Sequence, residues 1–298
     1  MGIRVARPVR RSILLAALTL LSLVADARAQ AVPGTTFGDI VADPRPLGDQ
    51  KAIPPHRPGP ETPPFPVPQA MSPQCQVPDA AIASPEPLPN LTALLADRKT
   101  IRILAIGSSS TAGIGSSSRS RTYPAQLNDI LERALKGVDV DVINRGVGGE
   151  VAATTAERLR SEVAIARPDL VLWQLGTTEA LARVPVEEFD KTVRSTIAWL
   201  RENKIDVVLV GLQYSPRFAR DDNYIAIRDA LFKIASEEHV LYVRRYNAMQ
   251  FIEKARSADL VSNDNLHLND LGYRCMAEHV AQAVIANLFV RRFRPATN

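Results

Sequence analysis

Five short apolar runs, at 101–106, 138–143, 170–175, 207–210 and 240–243, recur through the last two hundred or so residues of this 298-residue chain. Each is rich in Leu and β-branched residues and is bounded by turn signals. Such runs fit strands buried in a parallel sheet. Between them lie amphipathic stretches, such as Phe189, Val193, Ile197 and Leu200, or Tyr224, Ile227, Leu231 and Ile234, spaced at helical intervals. Strand and helix alternate five times. The order predicts a three-layer α/β/α sandwich around a five-stranded, mostly parallel sheet, with any active site at the carboxyl ends of the strands.

The other end of the chain has a different character. Arg4, Arg7, Arg10 and Arg11 precede an apolar stretch over 13–25, and Ala27-Arg-Ala29-Gln-Ala31 offers small-x-small cleavage sites. Residues 1–31 therefore read as a secretory signal peptide and the protein as exported, periplasmic or secreted. The apolar core is too short for a bilayer span of about 17–25 residues, so no stable membrane span is expected once it is removed. The formal net charge of +4 belongs to this segment: without the five Arg and one Asp of residues 1–29, 31 cationic and 31 anionic side chains remain. A neutral remainder removes the electrostatic case for a nucleic-acid partner. The basic run Arg291-Arg-Phe-Arg294 reads as a solvated helix end.

Residues 32–90 carry 16 of the 22 prolines and little apolar periodicity. They are expected to form a largely extended or disordered linker, with the α/β domain spanning 91–298 and Asn90 capping its first helix. One of the two cysteines, Cys75, falls in the linker, and the other, Cys275, in the last helical pattern. On that helix Cys275 shares a face with His279 and is expected at the rim of the core. An oxidising compartment would let the two form a bridge; two free thiols are the alternative.

Three strand ends carry residues unusual for plain turns. The first runs into Gly107-Ser-Ser109-Ser-Thr-Ala-Gly113, the second into Asn144-Arg-Gly146-Val-Gly-Gly149-Glu150, and the third into Gly176-Thr-Thr178-Glu179. All three should converge on one sheet edge, where glycine permits close backbone approach. Near the C-terminus, Asp264-Asn-Leu-His267 sets a carboxylate three residues before an imidazole, a spacing that suits an orienting acid and a general base. A base needs a nucleophile, and Ser109 is the candidate. The pairing suggests serine-hydrolase chemistry.

These blocks resemble those of the SGNH hydrolases, the GDSL esterase and lipase family, over about 101–290. The family's Gly-Asp-Ser-Leu-Thr-x-Gly aligns with Gly107 to Gly113, Asn-x-Gly-x-x-Gly-Asp with Asn144 to Glu150, and Asp-x-x-His-Leu-Asn-x-x-Gly-Tyr with Asp264 to Tyr273. The resemblance implies a flavodoxin-like sheet and an esterase that splits acyl or acetyl esters through Ser109, His267 and Asp264 by way of an acyl-enzyme. It also implies an oxyanion hole of the Ser109 and Gly149 amides, with Thr178 standing where the family has Asn, and Ser108 where it has Asp. No metal or organic cofactor is implied, and the partner expected is a small-molecule or glycan ester. The sequence sets no oligomeric state.

Two other readings stay open. One is a weakened SGNH-fold protein that only binds acylated glycan or lipid; the other is a flavodoxin-like protein whose Ser/Gly loop cradles phosphate or flavin. His56 in the linker, His239 at a helix-to-strand junction and His279 on a polar helix face are weaker candidates for a base. Trp173 and Trp199 read as packing residues, and the segments 114–121 and 213–223 as the loops that select substrate.

Overall fold

The computed structural model describes residues 70–97 and 100–288. All lie in the compact unit Pro60–Asn298. The signal-peptide region, the linker up to residue 69, His56 and the basic run at 291–294 lie outside the described residues.

The elements in chain order are α1 (Asp79–Ile82), β1 (Ala83–Ser84), α2 (Pro89–Asp97), β2 (Thr100–Gly107), α3 (Ser109–Ala112), α4 (Tyr123–Ala134), β3 (Asp139–Gly146), α5 (Ala152–Ala166), β4 (Leu170–Gln174), α6 (Thr177–Leu181), α7 (Val186–Glu202), β5 (Asp206–Val210), α8 (Asp222–Glu237), β6 (Leu241–Val243), α9 (Arg245–Arg256) and α10 (Asp270–Asn287). All five expected strands are present, as β2 to β6. The sheet order is β1-β6-β5-β4-β2-β3. Neighbours are parallel except β1, which pairs antiparallel with β6 at the edge. The sheet thus has six strands rather than five, the sixth being a two-residue strand inside the expected linker.

The fully buried sequences of β4, Leu-Val-Leu-Trp-Gln, and β5, Asp-Val-Val-Leu-Val, explain why those runs lack alternation: helices cover both faces. On one side α5, α7 and α8 stand in a row, and on the other α4 lies against α10. The apolar stripes read from the sequence face inward, since Phe189, Val193, Ile197 and Leu200 of α7 and Tyr224, Ile227, Leu231 and Ile234 of α8 are buried. After β2 the chain winds toward β3, whereas after β4 it winds toward β5. The loops leaving β2 and β4 therefore part from each other at a topological switch point, which opens a crevice at their carboxyl ends.

The globular part begins earlier than expected. Cys75, Val77, Ile82 and Leu88 are all buried in the core. The segment is held by backbone bonds, among them Arg244 N–H to the Ile82 carbonyl (2.8 Å), and by the Cys75–Cys275 disulfide, with Cα atoms 4.9 Å apart. Cys275 and His279 both lie beneath this strap, so neither sits on a polar face or rim. His279 is 3 % exposed, and its Nε2 meets the Cys75 carbonyl at 2.7 Å. Asn90 lies within α2 rather than capping it. The Asp206 carboxylate does that work from β5, accepting from Leu91 N–H (2.9 Å) and Asn90 Nδ2 (2.8 Å). Trp173 is fully buried; Trp199 is partly buried under the Arg160 guanidinium, 5.5 Å from its ring centre.

Candidate active site

The first site loop is shaped by the close approach of β2 and β4. Gly107 has φ +147°, and a Cβ there would strike the Gln174 carbonyl oxygen, so only glycine fits this turn. Beyond it, Ser108 donates through its N–H and its hydroxyl to Gln174 Oε1, both at 3.1 Å. Ser108 thus ties the loop to β4 rather than opening to solvent. Ser108, Ser110 and Thr111 are buried, whereas Ser109 at the start of α3 is half-buried. Of the four consecutive hydroxyls, Ser109 is the one open to the crevice.

The second loop folds over the first. Asn144 Nδ2 donates to the Thr111 carbonyl (2.8 Å), and its Oδ1 accepts from Gly146 N–H (2.9 Å). A side chain on Gly146 would collide with the backbone of Thr111 and Ala112. Val147 N–H reaches the Gly107 carbonyl at 2.9 Å. Gly149 follows with φ +77° and open space where a Cβ would stand. Among the described residues, the amides of Ser109 and Gly149 make no hydrogen bond, so both are free donors.

The third loop carries Thr178 on α6, half-buried, beside the buried Thr177 and Glu179. Glu179 is a clasp. One carboxylate oxygen accepts from Gly176 N–H and the other from Ala152 N–H, each at 2.6 Å. This joins the third loop to the helix that follows the second. Burial pushes the Glu179 pKa up, and the amide bonds oppose that rise.

Asp264 and His267 lie just before α10, which Asn269 caps by accepting from Gly272 N–H (2.9 Å). Asp264 Oδ2 stands 2.6 Å from His267 Nδ1. The other oxygen accepts from the Ser262 hydroxyl (2.7 Å), Leu266 N–H (2.9 Å) and His267 N–H (2.9 Å). The bond to His267, helped by these donors, holds the Asp264 carboxyl well below the usual carboxylate range. An ionised Asp264 fixes the proton on His267 Nδ1 and leaves Nε2 as the acceptor.

Among the described residues no hydrogen bond joins His267 to Ser109 directly. Their loops are stitched together instead. A Cβ on Gly115 would stand 3.0 Å from that of His267. Tyr273 Oη donates to the Ile114 carbonyl (2.7 Å), and Ser117 N–H to Asp270 (2.8 Å). Ser109, Gly149 and Thr178 thus sit at the ends of β2, β3 and β4, and the Asp264–His267 pair comes to the same edge through the 113–117 turn. Sequence reasoning missed two buried polar residues near this edge, Gln213 and Arg245. Their only signal is a polar side chain two or three residues past the end of a buried strand.

A family model described as the Non-GDSL lipase-like family matches residues 74–289, well over half of the chain. The chain belongs to that family. This Non-GDSL lipase-like chain is an SGNH-type hydrolase acting on ester bonds. Its first block, Gly-Ser-Ser-Ser, departs from Gly-Asp-Ser-Leu in the two residues flanking Ser109. An arylesterase of Vibrio mimicus is 23% identical over 193 residues, covering 65% of this chain and 92% of its own. Among solved structures, a two-domain esterase (CEX) active on acetylated mannans superposes with a TM-score of 0.61 at 17% identity, covering 74% of this chain and 58% of that one. TesA gives 0.53 at 22%, covering 61% and 97%, and an acetylxylan esterase from Geobacillus stearothermophilus 0.52 at 18%, covering 62% and 94%. At such identities these structures speak for the fold. Among the described residues no helix is long and apolar enough to cross a membrane.

Proposed function

We propose that this chain is an exported serine esterase in which Ser109 is the nucleophile, His267 the general base and Asp264 its orienting acid. The observation that carries the reading is the 2.6 Å Asp264–His267 bond, made by a carboxylate whose other oxygen is saturated by three donors. Such a carboxylate cannot swing away, so the imidazole is held in one tautomer with Nε2 free to take a proton.

The steps follow from that geometry. As Ser109 Oγ attacks the ester carbonyl carbon, its proton passes to His267 Nε2, and Asp264 stabilises the cation. The negative charge moves onto the carbonyl oxygen, where the Ser109 and Gly149 amides donate to it, with the Thr178 hydroxyl as third donor. Collapse breaks the carbon–oxygen bond to the alcohol, which leaves with the proton from His267. Water then repeats the sequence on the acyl-enzyme, releasing the acid and regenerating Ser109. The Ser109–His267 hydrogen bond tightens once substrate is bound, as such bonds commonly do.

The substrate class proposed is small carboxylic esters, with aryl and acetyl esters foremost. The arylesterase relative and the mannan and xylan deacetylating neighbours support this. Export is supported by the N-terminal pattern and by a disulfide, a bond that persists in oxidising compartments. Treatment with a fluorophosphonate probe tests the mechanism: we expect covalent labelling at Ser109, lost in Ser109→Ala and much slowed in His267→Ala. A folded wild type that stays unlabelled sinks the esterase and leaves a binding protein.

A further inference from the structure

Arg245 opens α9 just beyond the carboxyl end of β6 and is 2 % exposed. Its described hydrogen bonds both leave one atom: Nη2 donates to Ser110 Oγ (3.1 Å) and to Gln213 Oε1 (2.9 Å). Gln213, past the end of β5 and equally buried, passes the connection on. Its Nε2 donates to the Leu266 carbonyl (2.6 Å), its N–H to Thr177 Oγ1 (3.2 Å), and its carbonyl accepts from Tyr224 Oη (2.6 Å).

The endpoints of this chain of bonds are informative. Ser110 is next to Ser109, Leu266 next to His267, and Thr177 next to Thr178. Three segments that reach the site from β2, from β4 and from the α9–α10 connection are therefore fastened, each one residue from its site side chain, to the same pair of interior residues. A buried guanidinium is a costly tether, because a cation taken from water is repaid only by good partners, and an apolar residue of similar volume is often as stable. Here its bonds go to two neutral groups that lead straight to the site loops. Burial alone gives no reason for an arginine there.

We propose that Arg245 and Gln213 are positioning residues that set the Ser109 helix and the His267 loop in register for proton transfer, acting through Ser110 and Leu266. The inference rests on the esterase mechanism proposed above. Misplacing nucleophile and base by about an ångström costs on the order of 100-fold in rate, without weakening ground-state binding.

The test uses the full chain, with p-nitrophenyl acetate turnover, fluorophosphonate labelling rate and thermal melting measured on each variant. Arg245→Met is expected to lower kcat at least 10-fold with KM within twofold and a melting temperature within a few degrees. Arg245→Lys is expected to recover most of that loss, since one amine nitrogen supplies both bonds. Gln213→Met should show the same kcat defect, and the double variant should be no worse than either single, as members of one connection are not additive. Folded Arg245→Met with wild-type kcat, a Lys variant no better than Met, or defects that multiply would each overturn the inference. If Arg245→Met does not fold, Gln213→Met carries the comparison alone. A wild type that is not labelled overturns the esterase reading and this inference together; a labelled wild type with unaffected variants overturns this inference only.

Discussion

Asp264 is about half exposed, yet its role is set by bonds rather than burial. Four donors leave it ionised far into acid. Its folded pKa is depressed, so its contribution to stability is present above the ordinary carboxylate range and is lost only as pH falls through the lower folded value. Between pH 4 and 8 the profile of kcat/KM should therefore carry no inflection from Asp264. A carboxylate-like inflection near the ordinary value of about 4, lost in an Asp264 variant, would count against this. Asp264→Asn should leave the loop in place while supplying the wrong partner to Nδ1–H, lowering kcat on the order of 10⁴-fold. Thr178 offers a shorter donor than a side-chain amide, and removing an oxyanion donor costs about 10² to 10³ in turnover. Thr178→Asn is accordingly expected to raise kcat on an activated ester roughly tenfold, read in steady-state assays; no gain would mean that another group completes the hole. At this scale the sequence was informative where spacing carried the chemistry. Asp264 and His267 are local, three residues apart, and meet as their spacing predicts. Arg245 and Gln213 were not legible, since their meaning comes from three segments arriving from elements distant in the sequence.

Strands and long helices were readable because burial on both faces writes a continuous apolar run and burial on one writes a period of 3.6. Short elements were not. β1 has two residues, too few for any pattern, and exists because β6 offers an edge. The cap of α2 was misplaced for a related reason: Asp206 is remote in sequence, so the local Asn90 looked like the better candidate. His279 makes the same point on α10. Helical spacing put it on Cys275's face, and what covers that face is a strap more than two hundred residues away. Burial pushes its pKa down. The ring therefore stays neutral in the fold over a range where the unfolded chain binds a proton, and stability falls as pH drops below about 6.5 toward the folded value. His279→Gln keeps an N–H donor for the Cys75 carbonyl but does not titrate. Urea midpoints measured from pH 7.5 to 5 should decline for wild type and decline less for the variant; parallel curves would assign the acid loss elsewhere.

The proline count drew the domain boundary too late, because proline excludes helix and inner strand but not a pinned strap. Residues 70–88 follow the surface without regular structure over most of their length. They are held at wide intervals: Ser72 N–H and hydroxyl donate to Glu278 (2.8 and 3.0 Å), Cys75 is in the disulfide, the Gln76 carbonyl accepts from Arg256 Nε (3.0 Å), and Ile82 and Leu88 lie in the core. Composition averages over such a segment and misses its anchors. The strap also stabilises the molecule as a whole. Burying Ile82 and Leu88 contributes about 1.5–3 kcal/mol each, and a bridge closing a 200-residue separation up to about 5 kcal/mol by chain entropy. Together these approach the 5–15 kcal/mol that holds an ordinary domain. A chain beginning at residue 90 is thus expected to be insoluble or to melt more than 10 °C below one beginning at residue 70. The longer chain should lose several degrees in Cys75→Ser/Cys275→Ser, and the shorter one should be indifferent to reductant. Thermal melts of the three proteins decide it: equal melting of the 70- and 90-start chains would mean that the strap only lies on a domain already complete without it.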